Sequence, residues 1–324
     1  MKSTPRNQVG GVRGNAGIPA RQPTLQRVLA TTDFSDESQS GVRYAVAFAH
    51  KLGAAVALLH VIEPPSRMAG MEAVPLAREK SEWAALAGVQ LKKLAQRESK
   101  KDLRLTTRLR TGKPFHEICA DAAQCAADLI VISTHGYTGV QRVLLGSTAE
   151  RVVRHAPCPV LTVRPPITPA RNRKTPRFRL RRILVPIDFS KLSQAAVPWA
   201  TSLAAQFDAE IVLFHVVEKF PIDYLLGGEL LNHTMVPLMK QSEADLEGMA
   251  TGLSKSTGRN LSAVVREGKP FEEICRAAET LRVDLIVLTT HGYTGLKHVW
   301  LGSTAERVVR HAPCPVLVVR ELKV

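Results

Sequence analysis

The 324-residue chain is poor in the features that would send it to a membrane, to the cell exterior or onto a metal. No apolar run approaches the roughly 18 to 20 residues that a spanning helix needs, so membrane insertion by helices is excluded. The first residues, MKSTPRNQVGGVRGNAGIPARQPTLQR, contain no apolar core of signal-peptide length. They carry arginine without acids, as organelle transit peptides do, but hold four glycines and no clear amphipathic helix. The five cysteines (Cys119, Cys125, Cys158, Cys275, Cys314) form no CxxC pair, and an odd count without a secretory segment points to reduced thiols. A cytoplasmic protein is expected. No His or carboxylate lies at zinc-type spacing, and GxxxxGK(S/T), GxGxxG and GxSxG are all missing.

Acids are missing locally, although the chain as a whole has 29 against 44 Lys and Arg, a net charge of +15. Residues 1–27 carry five basic residues and residues 164–182 carry eight, with no acid in either stretch. Most of the excess therefore sits in a basic tail (1–26) and a Pro/Arg-rich linker (165–180), both expected to be flexible. The remainder is close to neutral. Nucleic acid or an anionic surface is the partner such segments raise. That reading is not favoured, because Phe178 is the one aromatic in these segments, and sequence-tolerant strand binding interleaves aromatics with cations.

What is present is a repeat. Residues 133–164, STHGYTGVQRVLLGSTAERVVRHAPCPVLTVR, and residues 289–320, TTHGYTGLKHVWLGSTAERVVRHAPCPVLVVR, are identical at 26 of 32 positions. Earlier landmarks recur at nearly the same offset: VLATTDFS and LVPIDFS, LLHVIE and LFHVVE, GKPFHEIC and GKPFEEIC. So long a period makes each copy a domain, here 27–164 and 181–324, instead of a stacking unit.

Each copy alternates short apolar runs with amphipathic stretches, the pattern of a parallel sheet covered on both faces. In the first copy strands are expected at Arg27 to Thr31, Ala55 to Val61, Leu103 to Arg110, Asp128 to Ile132 and Pro159 to Val163. Helices are expected at Ser38 to Leu52, Glu82 to Ala95, His116 to Ala126 and Ser147 to His155, where AlaProCysPro stops the last one. This is an α/β doubly wound domain in tandem.

Chemistry concentrates after the fourth strand. Gly136 and Gly146 suit the two ends of a loop that wraps a ligand. Ser147 to Glu150 reads as an S-x-x-E capping box at a helix start, whose N–H groups and dipole favour phosphate. Asp33, past the first strand, can accept hydrogen bonds from an amine or amide edge, or it caps the next helix in rivalry with Ser35. In open α/β sheets, ligands bind beyond the carboxyl ends of the strands where winding switches, which would put Asp33 and the 136–147 loop on one crevice.

These residues resemble the universal stress protein family: (V/P)-x-D-x-S after the first strand, HV(I/V)E after the second, GKP before the third helix, and HG, nine residues, then GS. The resemblance implies a Rossmann-like five-stranded sheet of order 3-2-1-4-5 and an ATP-binding stress-response sensor or regulator. It implies that Asp33 and the Val61 backbone hold adenine, that Ser133 to Gly136, including His135, touch ribose and phosphate, and that Gly146, Ser147 and Thr148 hold phosphates. In the second copy these roles fall to Asp188, Val216, Thr289 to Gly292 with His291, and Gly302, Ser303 and Thr304. The resemblance implies that the ATP-binding branch carries G-x2-G-x9-G-(S/T); its first glycine is Ser133 here and Thr289 in the second copy, and the bulkier Thr makes the first copy the better site. Mg²⁺ or Mn²⁺ would arrive with the nucleotide.

Arg142 and His298, the loop's nearest cations, differ between copies, so hydrolysis is expected to be slow or absent; a slow ATPase is an alternative. A receiver-type phosphoacceptor at Asp33 lacks the paired acids that hold Mg²⁺. His155 and His311 are expected to partner their helix dipoles, and the paired cysteines to be small buried hydrophobes. PVLTVR (159–164) and PVLVVR (315–320) are edge strands in the family order, so the copies are expected to form an intrachain pseudo-dimer through them. Further association into a homodimer is left open.

Overall fold

The computed structural model describes residues 23–64, 77–134, 145–164, 178–218, 228–289 and 302–320. The first copy contains β1 (Arg27–Thr32), α1 (Asp36–Leu52), β2 (Ala55–Ile62), α2 (Ala77–Glu98), β3 (Leu105–Thr111), α3 (Pro114–Gln124), β4 (Leu129–Ser133), α4 (Ser147–His155) and β5 (Val160–Val163). The second contains β6 (Arg182–Pro186), α5 (Lys191–Gln194), α6 (Val197–Phe207), β7 (Glu210–Val217), α7 (Gly228–Thr257), β8 (Leu261–Glu267), α8 (Pro270–Thr280), β9 (Leu285–Thr289), α9 (Ser303–His311) and β10 (Val316–Val319). The expected strands and helices of the first copy are all found, with ends shifted by a few residues.

The second copy splits its first helix in two. Pro198 has no N–H to donate and its ring crowds the preceding turn, so α5 stops at Gln194 and α6 restarts with the proline in its first turn. In the first copy Arg43 occupies the corresponding place, and α1 runs unbroken from a Ser35 cap to Gly53, whose φ of 66° is the left-handed closure glycine permits.

All ten strands form one sheet in the order β3-β2-β1-β4-β5-β10-β9-β6-β7-β8. Each half is parallel and has the expected 3-2-1-4-5 order. β4 and β9 are buried along nearly their whole length, which is why they read as continuous apolar runs. The halves meet where β5 and β10 pair antiparallel, with Leu161 opposite Leu317, both 1% exposed. Thr162 adds a side-chain bond across this seam, its Oγ1 donating to the Val316 carbonyl at 3.2 Å.

The hydrophobic cores also run across the seam. On one face α3 and α4 of the first copy share a core with α8 and α9 of the second. On the other face α1 and α6 share the second core. Phe178, just ahead of the second copy, packs there against Tyr44, Phe48 and Phe207 at centroid distances of 5.0, 6.0 and 5.6 Å. The lone aromatic of the basic linker region thus works as an interdomain wedge.

Leu161→Asp should cost about 3 to 5 kcal/mol, because it deletes a buried leucine and places a charge without a partner at the centre of the seam. Denaturant melting together with small-angle scattering checks this. Unchanged compactness and stability would count against the seam holding the copies together.

Candidate functional site

Each copy builds the same turn at the carboxyl end of its first strand. Asp33 Oδ1 accepts from the Ser35 N–H at 3.0 Å and from Ser35 Oγ at 2.5 Å, while Ser35 Oγ accepts from the Ser38 N–H at 3.2 Å. Ser35 is therefore the helix cap, and Asp33 orients it. Between them Phe34 takes a left-handed φ of 67°, a conformation that costs a bulky residue energy and persists only where its surroundings impose it. Its ring lies 4.2 Å from that of His60, whose Nδ1 donates to the Thr32 carbonyl at 2.8 Å. Burial holds the His60 pKa below its ordinary value against the raising effects of that bond and of Asp33. The second copy repeats the turn with Asp188, Ser190, Phe189 at φ 61°, and His215 bonded to the Ile187 carbonyl at 2.7 Å.

The other half of the site is the start of α4. Gly146 is its N-cap residue and makes no side-chain cap, so the expected capping box does not form. Ser147 is the first helical residue, and Glu150 pairs with Arg154 at 2.9 Å instead of reaching back. The helix nevertheless begins where expected. The N–H groups of Ser147, Thr148 and Ala149 lie in the first turn, where a helix supplies no carbonyl partner. Gly146 donates to the Thr134 carbonyl at 2.8 Å, and a Cβ at Gly146 would sit 3.3 Å from that oxygen, a close approach that favours glycine. Ser133, at the end of β4, is 7% exposed, and its Oγ is buried with no hydrogen-bond partner among the described residues. A buried hydroxyl left unpaired is costly, and a ligand acceptor would satisfy it.

These two halves face a cavity of about 380 Å³ in the first copy, and their counterparts face one of about 350 Å³ in the second. The first is lined by Asp33, Val61, Ser133, Gly146, Ser147 and Thr148. The second is lined by Asp188, Val216, Thr289, Gly302, Ser303 and Thr304. Residues named from sequence on four separate elements thus come together in each copy. His135, Gly136, His291 and Gly292 lie outside the described residues. Reading the sequence missed Glu63 and Glu218, each of which also lines its cavity. The HVIE and HVVE landmarks contained them, but a glutamate just past a strand reads as a solvated surface charge. Pro114 and Pro270, the prolines of GKP, also line the walls and were assigned no role.

At the end of α4 a second group shares the place expected for His155. Burial and the neighbouring Arg320, Arg154, His116 and Arg151 lower the His155 pKa. In the first copy the carbonyls of that end are taken by Arg320, which donates to Val153 at 3.0 Å and also to Arg154. Cys158 and Cys314 are buried, and burial pushes both thiols up to about 12; Cys275 is pushed up to about 11. They behave as small apolar groups. Among the described residues no three His, Cys, Asp or Glu side chains converge on a metal position.

Ser133→Ala should stabilise the ligand-free protein by about 1 kcal/mol by removing a buried hydroxyl that lacks a partner. A denaturant melt of wild type and variant measures it, and a lower midpoint for the variant would show that the hydroxyl is satisfied in solution.

The sequence and the fold agree with one set of known proteins. The family model described as Universal stress protein family matches residues 24–164 and again 179–320. A universal stress protein of Methanocaldococcus jannaschii is 36% identical over 143 residues, 44% of this chain and 84% of that protein. One of Mycolicibacterium smegmatis is 26% identical over 298 residues, 90% of this chain and 96% of its own length. The crystal structure of a universal stress protein from Archaeoglobus fulgidus superposes with a TM-score of 0.68 at 22% identity, covering 91% of this chain and 96% of that one, which speaks for the fold. With the family model matched twice over most of its length, the chain belongs to the universal stress protein family, as a tandem member with two such domains.

Proposed function

We propose that the chain binds an adenine nucleotide, ATP foremost, in the cavity of each copy, and that it acts as a sensor or regulator in stress adaptation instead of a fast enzyme. The observation that carries this reading is that carboxylates and a helix start line the same cavity. The carboxylates Asp33 and Glu63 line it together with the start of α4, whose first N–H groups have no partner within the helix and which carries the positive end of the dipole. Such a polarity orients a nucleotide. Phosphates are repelled by the carboxylates and held by Ser147 and Thr148, which leaves the base to donate its amine to the aspartate end. Ser133, on β4, supplies a hydroxyl for the sugar.

A divalent Mg²⁺ or Mn²⁺ would be carried by phosphate oxygens and water, since no protein ligand set for it exists among the described residues. Among the described lining residues the first cavity contains no Lys, Arg or His, and the second only His215. Rapid phosphoryl transfer needs a cation at the developing charge, and the loop cations Arg142 and His298, which lie outside the described residues, differ between the copies.

Titration calorimetry with ATP and Mg²⁺ tests the reading. Wild type should bind, and the double variant Gly146→Val, Gly302→Val should bind at least about tenfold more weakly, or roughly 1.4 kcal/mol. Equal heats from both proteins, or none from wild type, would overturn it.

A further inference from the structure

We infer that Arg320, a residue of the second copy, is a positioning residue for the nucleotide seat of the first. This rests on the nucleotide reading above and adds that the first copy's seat is completed in trans.

The register of the seam determines where Arg320 lies. Val318 pairs with Val160 across the antiparallel β5–β10 contact, so the chain leaving β10 passes the beginning of β5 and reaches the far end of α4. There the guanidinium Nη2 donates to the carbonyls of Val153 and Arg154, in the last turn of that helix. A helix end leaves its last four carbonyls without internal partners, and α4 has no glycine closure to satisfy them. Its C-cap is Ala156, at φ −56° and ψ 143°, whose N–H bonds only to Val152. The next residue, Pro157, has no N–H to offer. Further donors to these carbonyls come from the second copy.

Charge makes the contact more than a convenience of packing. Arg320 is half-buried and has no carboxylate partner among the described residues. The groups that act electrostatically on His155 at this helix end, Arg320 with Arg154, His116 and Arg151, are all basic. The negative end of α4 is what compensates the guanidinium. A cation there also removes the partial negative charge that opposes an anion at the other end, about 13 Å away along nine residues. That other end is Ser147 and Thr148, which line the first cavity.

The counterpart is not equivalent. Arg164 leaves β5 toward the second copy and lies near Cys275 and His311. Among the described residues, however, no hydrogen bond joins it to α9, and its Nε is buried without a partner. The latch is closed on the first copy only, so its loss should be felt at one site.

The test is ATP titration of the full-length chain in two backgrounds, Gly302→Val to leave the first site and Gly146→Val to leave the second. Arg320→Ala should weaken the first site about two- to fivefold and leave the second unchanged. Arg320→Lys should restore most of the affinity, and Arg164→Ala should have less effect on the second site than Arg320→Ala has on the first. Hydrogen exchange of α4 amides, read without nucleotide, should accelerate in Arg320→Ala and not in Arg320→Lys. Equal losses at both sites would mean general loosening of the seam and overturn the inference, as would an unchanged first site. Absence of ATP binding by wild type would instead remove the nucleotide reading itself and this inference with it.

Discussion

The antiparallel pairing of β5 with β10 is the constraint on which the rest of the molecule depends. A five-stranded parallel sheet of order 3-2-1-4-5 ends in an apolar strand whose backbone donors and acceptors need partners. Pairing two such ends satisfies both at once and turns two open sheets into one of ten strands. Because helices from both copies then flank the same line, the cores on either face become continuous. The pairing direction also decides that each copy's chain end emerges beside the other copy's last helix. Without the antiparallel register Arg320 would have no helix end to reach.

The sites follow from a second economy of the fold. The carboxyl ends of β1 and β4 are neighbours in the sheet, so two turns far apart in sequence open onto one crevice. One turn is stiff: Asp33, Ser35 and the left-handed Phe34 lock one another, and His60 holds the strand end from the side. The other offers a helix start and a glycine close to the Thr134 carbonyl. Carboxylates and a helix start thus line one cavity, groups of opposite electrostatic character on a shared wall.

Much of this was legible in the sequence, and the failures have identifiable causes. Strand positions followed from continuous apolar runs, because strands buried on both faces leave no room for alternation. The limits of α4 followed from Gly146 and from AlaProCysPro, and they were found at Ser147 and His155. The capping box was read correctly as a boundary and wrongly as a bond, since the cap is the glycine and Glu150 finds Arg154 one turn on. The first cavity's wall at Glu63 was not legible, because local pattern does not say which carboxylates a third element will cover. The role of Arg320 was beyond reach for the same reason on a larger scale: its partners are more than 160 residues away and depend on strand register.

Thr162 has a further consequence. At its pseudo-symmetric position the second copy has Val318, so only one of the two residues donates a side-chain bond across the seam. An assembly of identical subunits must carry every interface residue twice, and a hydroxyl useful on one side would be buried on the other as well. Covalent duplication removes that coupling. It also makes the encounter of the halves intramolecular, so their association does not depend on how much protein the cell contains. Each half is then free to differ at the seam, as Thr162 and Val318 already do.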